Sequence, residues 1–164
     1  RKTETAEISD IFIQPRPGTD GALALGLIRA IMDENIEDKT YVAHHTSGFD
    51  EFKEFIKDYP LEKIEKITGI NRETIKETAR VFATTKPACI NVGSGVEHHT
   101  NGVQSIRAIN ILLSITGNID VKGGNTFLNM APLTPPDVHP LSMDRSIIQS
   151  QKRKGSEIYC HRST

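Results

Sequence analysis

Two short stretches combine residue types and spacing that could hold a ligand: Pro17-Gly18-Thr19-Asp20 and Gly93-Ser94-Gly95-Val96-Glu97-His98. Glycines let the main chain approach a bound molecule closely, and a helix that starts just after such a loop presents free N–H groups to an anion such as a diphosphate. Asp20 adds a sharper option. A carboxylate accepts two parallel hydrogen bonds from the N1–H and N2–H₂ of guanine, a donor pair that adenine lacks. The plainer role for the same residue is to complement the dipole of the helix it opens, worth about 0.3–1 kcal/mol, and spacing alone leaves both roles open.

Other chemistries find less support. Gly93-x-Gly95 lacks the third glycine of the dinucleotide fingerprint, the next being Gly102, and no acidic ribose reader stands about 20 residues further on. His44-His45-Thr46 and His98-His99-Thr100 set histidines side by side, not at the i,i+4 spacing that lets two of them share a metal from one helix face. Cys89 and Cys160 form no Cys-x-x-Cys pattern, which argues against a disulfide framework or a zinc knuckle. No Ser-His-Asp, Cys-His or paired-carboxylate arrangement can be picked out from the spacing. The residues describe binding loops without a visible catalyst.

Such loops work at the carboxyl ends of strands in α/β sheets, and the surrounding sequence predicts that placement twice. Ile8 to Gln14 reads as a strand stopped by Pro15-Arg16-Pro17-Gly18, because proline donates nothing to a ladder. Thr19 can then cap a helix whose apolar positions, Leu23, Leu27, Ile28 and Ile31, recur at helical spacing up to Asp33-Glu34-Asn35. Ala88 to Val92 reads as a buried strand with Cys89 as a small buried hydrophobe, Gly93-Ser94-Gly95 as a tight turn, and Val103 to Leu113 as a helix ending near Gly117. Between these units three amphipathic helices are expected: one through Phe49, Phe52 and Ile56 ended by Pro60, one through Leu61, Ile64 and Ile67 closed by Gly69, and one through Ile75, Ala79 and Phe82 opened by Asn71. Beyond Asn129 periodicity is lost and Pro132, Pro135, Pro136 and Pro140 crowd together, so an extended arm and a polar tail are expected over 129–164, following an α/β unit over 1–128.

Charge divides the chain in the same way. Between Asp50 and Arg80 acidic and basic residues interleave as on solvated helix faces, whereas Pro87 to Ala131 carries only Glu97, Arg107, Asp120 and Lys122, as expected of a stretch covered by protein or ligand. With 20 Lys+Arg against 21 Asp+Glu and a formal net charge of -1, no field draws the protein to nucleic acid or anionic lipid. Aromatics at 5% and the absence of Trp leave little for stacking on single strands, and no apolar run approaches the roughly 18 residues of a membrane span. The chain opens at Arg1 without a leader pattern, so a piece of a longer protein is expected; its compartment, cytoplasm or periplasm, is left open.

Taken in order, Arg1-Lys2-Thr3-Glu4-Thr5-Ala6, Pro17-Gly18-Thr19-Asp20, Gly93 to Gly102, Arg107-Ala108 and Thr116-Gly117-Asn118-Ile119 resemble the molybdopterin oxidoreductases of the dimethyl sulfoxide reductase and formate dehydrogenase type. The resemblance implies a three-layer, Rossmann-like α/β fold with a small helical insertion. It also implies a fragment of a catalytic subunit that helps hold a bis(molybdopterin guanine dinucleotide) with Mo or W, in an enzyme performing two-electron redox. By the same resemblance Pro17, Gly18 and Asp20 match the loop that binds one guanine, Arg1 matches a basic residue after a preceding strand, and Ser94, Gly95, Glu97 and His98 match a loop lining the other pterin dinucleotide. No catalytic residue and no metal ligand is expected within the chain; the ligand and any 4Fe-4S cysteines would lie upstream of Arg1. The expected partners are the remaining domains of the catalytic subunit and an iron–sulfur electron-transfer subunit. Where formate dehydrogenases of this type carry an Arg-Gly-Gln-Asn run, this chain reads Lys122-Gly123-Gly124-Asn125-Thr126-Phe127-Leu128-Asn129-Met130, so the resemblance points to the family and leaves the substrate open. Competing readings are another dinucleotide- or thiamine-diphosphate-binding α/β domain, and a non-catalytic helical interaction module.

Overall fold

The computed structural model describes residues 2–126. Arg1, the arm and tail expected over 129–164, and the boundary placed at 128 therefore lie outside the described residues. Eight α-helices follow in order: α1 (Glu4–Glu7), α2 (Asp20–Glu34), α3 (Lys39–His45), α4 (Phe49–Phe55, continued by a 3₁₀ turn at Ile56–Asp58), α5 (Leu61–Thr68), α6 (Arg72–Thr84), α7 (Ser94–Glu97) and α8 (Gly102–Ile115).

The fold is arranged around α2. Its Ile28 and Ile31 are fully buried together with Ile64 of α5, Ile75 of α6 and Leu112 of α8, a core of aliphatic side chains of the kind that dominates protein interiors. The sequence stops α2 cleanly. Asn35 takes a left-handed φ of 54°, and the N–H groups of Asn35 and Ile36 turn back to the carbonyls of Met32 and Ile31, the paired bonds of a Schellman ending. Helices α2 and α8 run parallel and side by side: Gly21 meets Ser105 near their starts, and beyond their ends the Asp38 N–H donates to the Ile115 carbonyl at 2.8 Å.

The strands expected at Ile8–Gln14 and Ala88–Val92 do not form: among the described residues both segments lack a ladder, and the sole β-bridge joins Ile119 and Asn125. The three-layer α/β arrangement is thus absent from this part of the chain. The physical reason is that a strand is completed by its neighbour, and side chains stand in for one here. Asn125 grips Ile90, accepting from its N–H at 2.8 Å and donating to its carbonyl at 2.9 Å, while the Oδ1 of buried Asn118 accepts from the Ala88 N–H at 3.0 Å. The segment stays extended with alternating sides. Ala88, Ile90 and Val92 are half-buried, but Cys89 is exposed, which corrects its assignment to the core. The glycine turn at 93–95 is also corrected, because Ser94 and Gly95 open α7.

Candidate cofactor-binding site

The first loop is a β-turn. The N–H of Thr19 donates to the Arg16 carbonyl at 3.1 Å, with Pro17 and Gly18 in the central places and Gly18 at φ +77°, a left-handed conformation that glycine adopts without strain. Arg16 anchors this turn to the carboxyl end of α5: its Nη1 donates to the carbonyls of Lys66 and Ile67, and its N–H to that of Thr68. A guanidinium among the last carbonyls of a helix satisfies acceptors that the helix leaves open and complements its dipole.

The second loop folds as the short turn α7 against the start of α8. A Cβ on Gly102 would collide with the Glu97 carbonyl, so these two segments are in direct main-chain contact. Ser94, Gly95, Glu97 and His98 are all exposed. A single hydrogen bond joins the two loops, from Asn101 Nδ2 to the Gly18 carbonyl at 3.0 Å. Immediately behind it, a Cβ on Gly21 would stand 2.8 Å from Ser105 Oγ and 3.0 Å from Ser105 Cα, so only glycine allows α2 and α8 to begin so close together.

The structure therefore brings Pro17, Gly18 and Asp20 to the same end of one helix pair as Ser94, Gly95, Glu97 and His98. Both residues preceding these helices are of capping type, and neither caps. Thr19 Oγ1 donates to the Arg16 carbonyl at 2.6 Å, and the Asn101 amide is directed to Gly18. The first-turn N–H groups of Asp20, Gly21 and Ala22 in α2, and of Val103 and Gln104 in α8, are left without side-chain acceptors. Asp20 is half-buried, and among the described residues its carboxylate has neither a hydrogen-bond nor an ion-pair partner. A Cβ placed on Gly18, Gly93 or Gly95 would meet no atom within 4 Å, so a ligand can lie directly on the backbone at all three. Free donors, an unpartnered carboxylate and open glycine backbone are the groups that a purine and a diphosphate require, and the residues present fit a guanine dinucleotide.

Several site features escaped the sequence reading. Asn101 lies within the motif that carried the resemblance but received no role, and Arg16 and Ser105 gave no signal of their own. His44 and His45 lie exposed on α3, where His45 stacks on Tyr41 with ring centroids 4.6 Å apart. Among the described residues no three His, Cys, Asp or Glu side chains are grouped to hold a metal ion, and no helix is long and apolar enough to cross a membrane.

Comparison with known proteins places this geometry. Residues 2–158 match the family described as Molybdopterin oxidoreductase. The chain is 39% identical over 123 residues to the probable oxidoreductase YoaE of Bacillus subtilis, covering 75% of this chain and 18% of that protein. It is 38% identical over 119 residues to formate dehydrogenase H of Escherichia coli, covering 73% of this chain and 17% of the relative. Among solved structures, acetylene hydratase from Pelobacter acetylenicus superimposes with a TM-score of 0.69 at 41% identity, over 71% of this chain and 16% of that one. The chain thus spans under a fifth of the length of these relatives.

Proposed function

Because the chain belongs to the molybdopterin oxidoreductase family, whose members hold a molybdopterin with Mo or W, we propose that its two loops bind the guanine dinucleotide form of that cofactor. In this reading the carboxylate of Asp20 accepts the paired N–H donors of a guanine. The free amides at the start of α2 and α8 receive the diphosphate, and Ser94, Gly95, Glu97 and His98 line the pterin side. When bound, the metal and pterin supply two-electron redox chemistry. The residues of this chain bind and orient the group.

The observation that carries the reading is the pair of helix starts with both capping side chains turned away, beside a half-buried carboxylate without a partner among the described residues. A helical interaction module gives no reason for leaving those groups open. The dinucleotide- and thiamine-diphosphate-domain alternative is set aside by family membership. The three-layer α/β fold belongs to the same proposal: the N–H and C=O groups of Cys89 and Asn91 find no partner among the described residues, and strands from elsewhere in a longer catalytic subunit would complete the sheet there. An iron–sulfur electron-transfer subunit and a 4Fe-4S cluster outside residues 1–164 complete the proposed enzyme.

The test is Asp20→Asn in the full-length enzyme. The amide keeps the shape but turns a donor toward the guanine donors, removing charge-assisted bonds that contribute about 1.5–3 kcal/mol. Cofactor retention, read as metal and GMP released per purified protein after extended dialysis, is expected to fall about tenfold to a hundredfold. Glu34→Gln, at the far end of α2 and touching only the surface pair with Arg80, should retain both. Full occupancy in Asp20→Asn would return the residue to a helix-dipole role.

A further inference from the structure

We propose that Asn101 is a positioning residue that locks the Pro17–Asp20 turn to the 94–98 loop, so that the two meet the cofactor as one preformed surface. The inference rests on the cofactor reading above for its consequence, but on geometry for its mechanism. Asn101 occupies the position before α8 where an asparagine would ordinarily fold its side-chain oxygen onto the helix, yet it makes no such bond. Its amide instead crosses to the Gly18 carbonyl, 83 positions away in sequence. Gly18 needs this support. Pro17 and Gly18 supply no side-chain donor, a Cβ on Gly18 would touch nothing, and the turn is otherwise fixed by its own Thr19–Arg16 bonds and, on its other side, through Arg16 and the end of α5. Without the Asn101 bond the Gly18–Thr19 peptide is held only by the Thr19 N–H on the Arg16 carbonyl, and Asp20, two residues on, loses its one tie to the start of α8.

Asn101→Asp separates this role from a merely structural one, because the two make opposite predictions. A carboxylate in place of the amide cannot donate, and faces the Gly18 carbonyl as acceptor against acceptor. As a helix cap, however, Asp equals Asn and is favoured by the helix dipole. In the full-length enzyme, Asn101→Asp should therefore hold or raise the melting temperature while metal and GMP retention falls about twofold to tenfold, the range of one lost neutral hydrogen bond. Asn101→Ala should lose cofactor to a similar extent. A second readout is independent of the cofactor. Amide hydrogen exchange at Thr19, whose N–H donates to the Arg16 carbonyl, measured in cofactor-free protein, should speed up in both variants while the interior of α2 keeps its protection.

Unchanged exchange at Thr19 would overturn the lock whatever the cofactor does. A melting temperature that falls in step with retention in Asn101→Asp would overturn it in favour of a general stabilising role for the bond. Faster exchange with undiminished retention would overturn the claim that the lock serves the cofactor. Retention that is lost in the Asn101 variants but intact in Asp20→Asn would support the lock and reject only the guanine partner assigned to Asp20.

Discussion

Two pairs of helices in this molecule treat their first turns in opposite ways. On α3 and α6 the preceding side chain does the capping: Asp38 Oδ1 accepts from the Tyr41 N–H at 2.9 Å, and Asn71 Oδ1 from the Glu73 N–H at 2.8 Å. On α2 and α8, Thr19 and Asn101 are of equally suitable type, yet each sends its side chain to a carbonyl outside the helix. Residue type is the same in both regions, and the neighbouring loop decides the outcome. On α3 and α6 the cap closes the helix start. Where two starts lie together beside open glycine backbone, the donors stay available, which is the preorganisation that an anion site needs.

The strongest way to break the comparison is to separate the two uncapped starts. Gly21→Val would drive a branched side chain against Ser105. We expect about 2–3 kcal/mol of lost stability, at the upper end for overpacking, with loss of cofactor at the same time; denaturant unfolding of the full-length enzyme measures the first and metal content the second. Retained cofactor in a stable Gly21→Val enzyme would mean that the helix starts need not be adjacent.

Capping itself gives the next effect. Asn71→Ala should cost about 1 kcal/mol of stability and leave cofactor content whole, whereas Thr19→Ala, which removes no cap bond, should stay within about 0.5 kcal/mol. Equal costs at the two positions would erase the distinction between the regions.

The smallest expected effect is in acid. The Lys86 ammonium, hydrogen-bonded to Asp38, and the Tyr41 amide hold the Asp38 carboxyl below its ordinary range. A carboxyl lowered by folding contributes stability that is present above its unfolded value and lost as pH falls through the folded one. The melting temperature should therefore decline below about pH 4, and Asp38→Asn should flatten that part of the profile. An identical acid limb in wild type and Asp38→Asn would show that the pair is fully screened by solvent.

Local signals carried the sequence reading a long way. The starts and ends of α2, α5, α6 and α8 follow from apolar spacing and from single residues such as Asn35, Gly69 and Asn71, because a helix is specified within a few turns of itself. Helix α3 was missed because its seven residues offer only Tyr41, Val42 and Ala43 as an apolar signal. The strands failed for a different reason. The apolar pattern of Ala88–Val92 does encode extended backbone, but it cannot say that Asn125 and Asn118 take the place of neighbouring strands, nor that Cys89 faces outward. At the candidate site, glycines and Asp20 could be recognised by type. The bond from Asn101 to Gly18 could not, since nothing in either residue announces a partner so far along the chain.

The asparagine clamp on Ala88–Val92 bears on the order of assembly. Fixing the backbone of one residue costs about 1–2 kcal/mol in conformational entropy, a cost that usually falls when a strand joins its sheet. Here Asn118 and Asn125 hold the segment extended without a neighbouring strand, while the hydrogen-bonding groups of Cys89 and Asn91 have no partner among the described residues. A strand reaching those groups meets a template already ordered, so that sheet growth becomes the docking of one disordered segment rather than the joint ordering of two. A helical unit of this kind can then act as the seed on which later parts of a large protein condense.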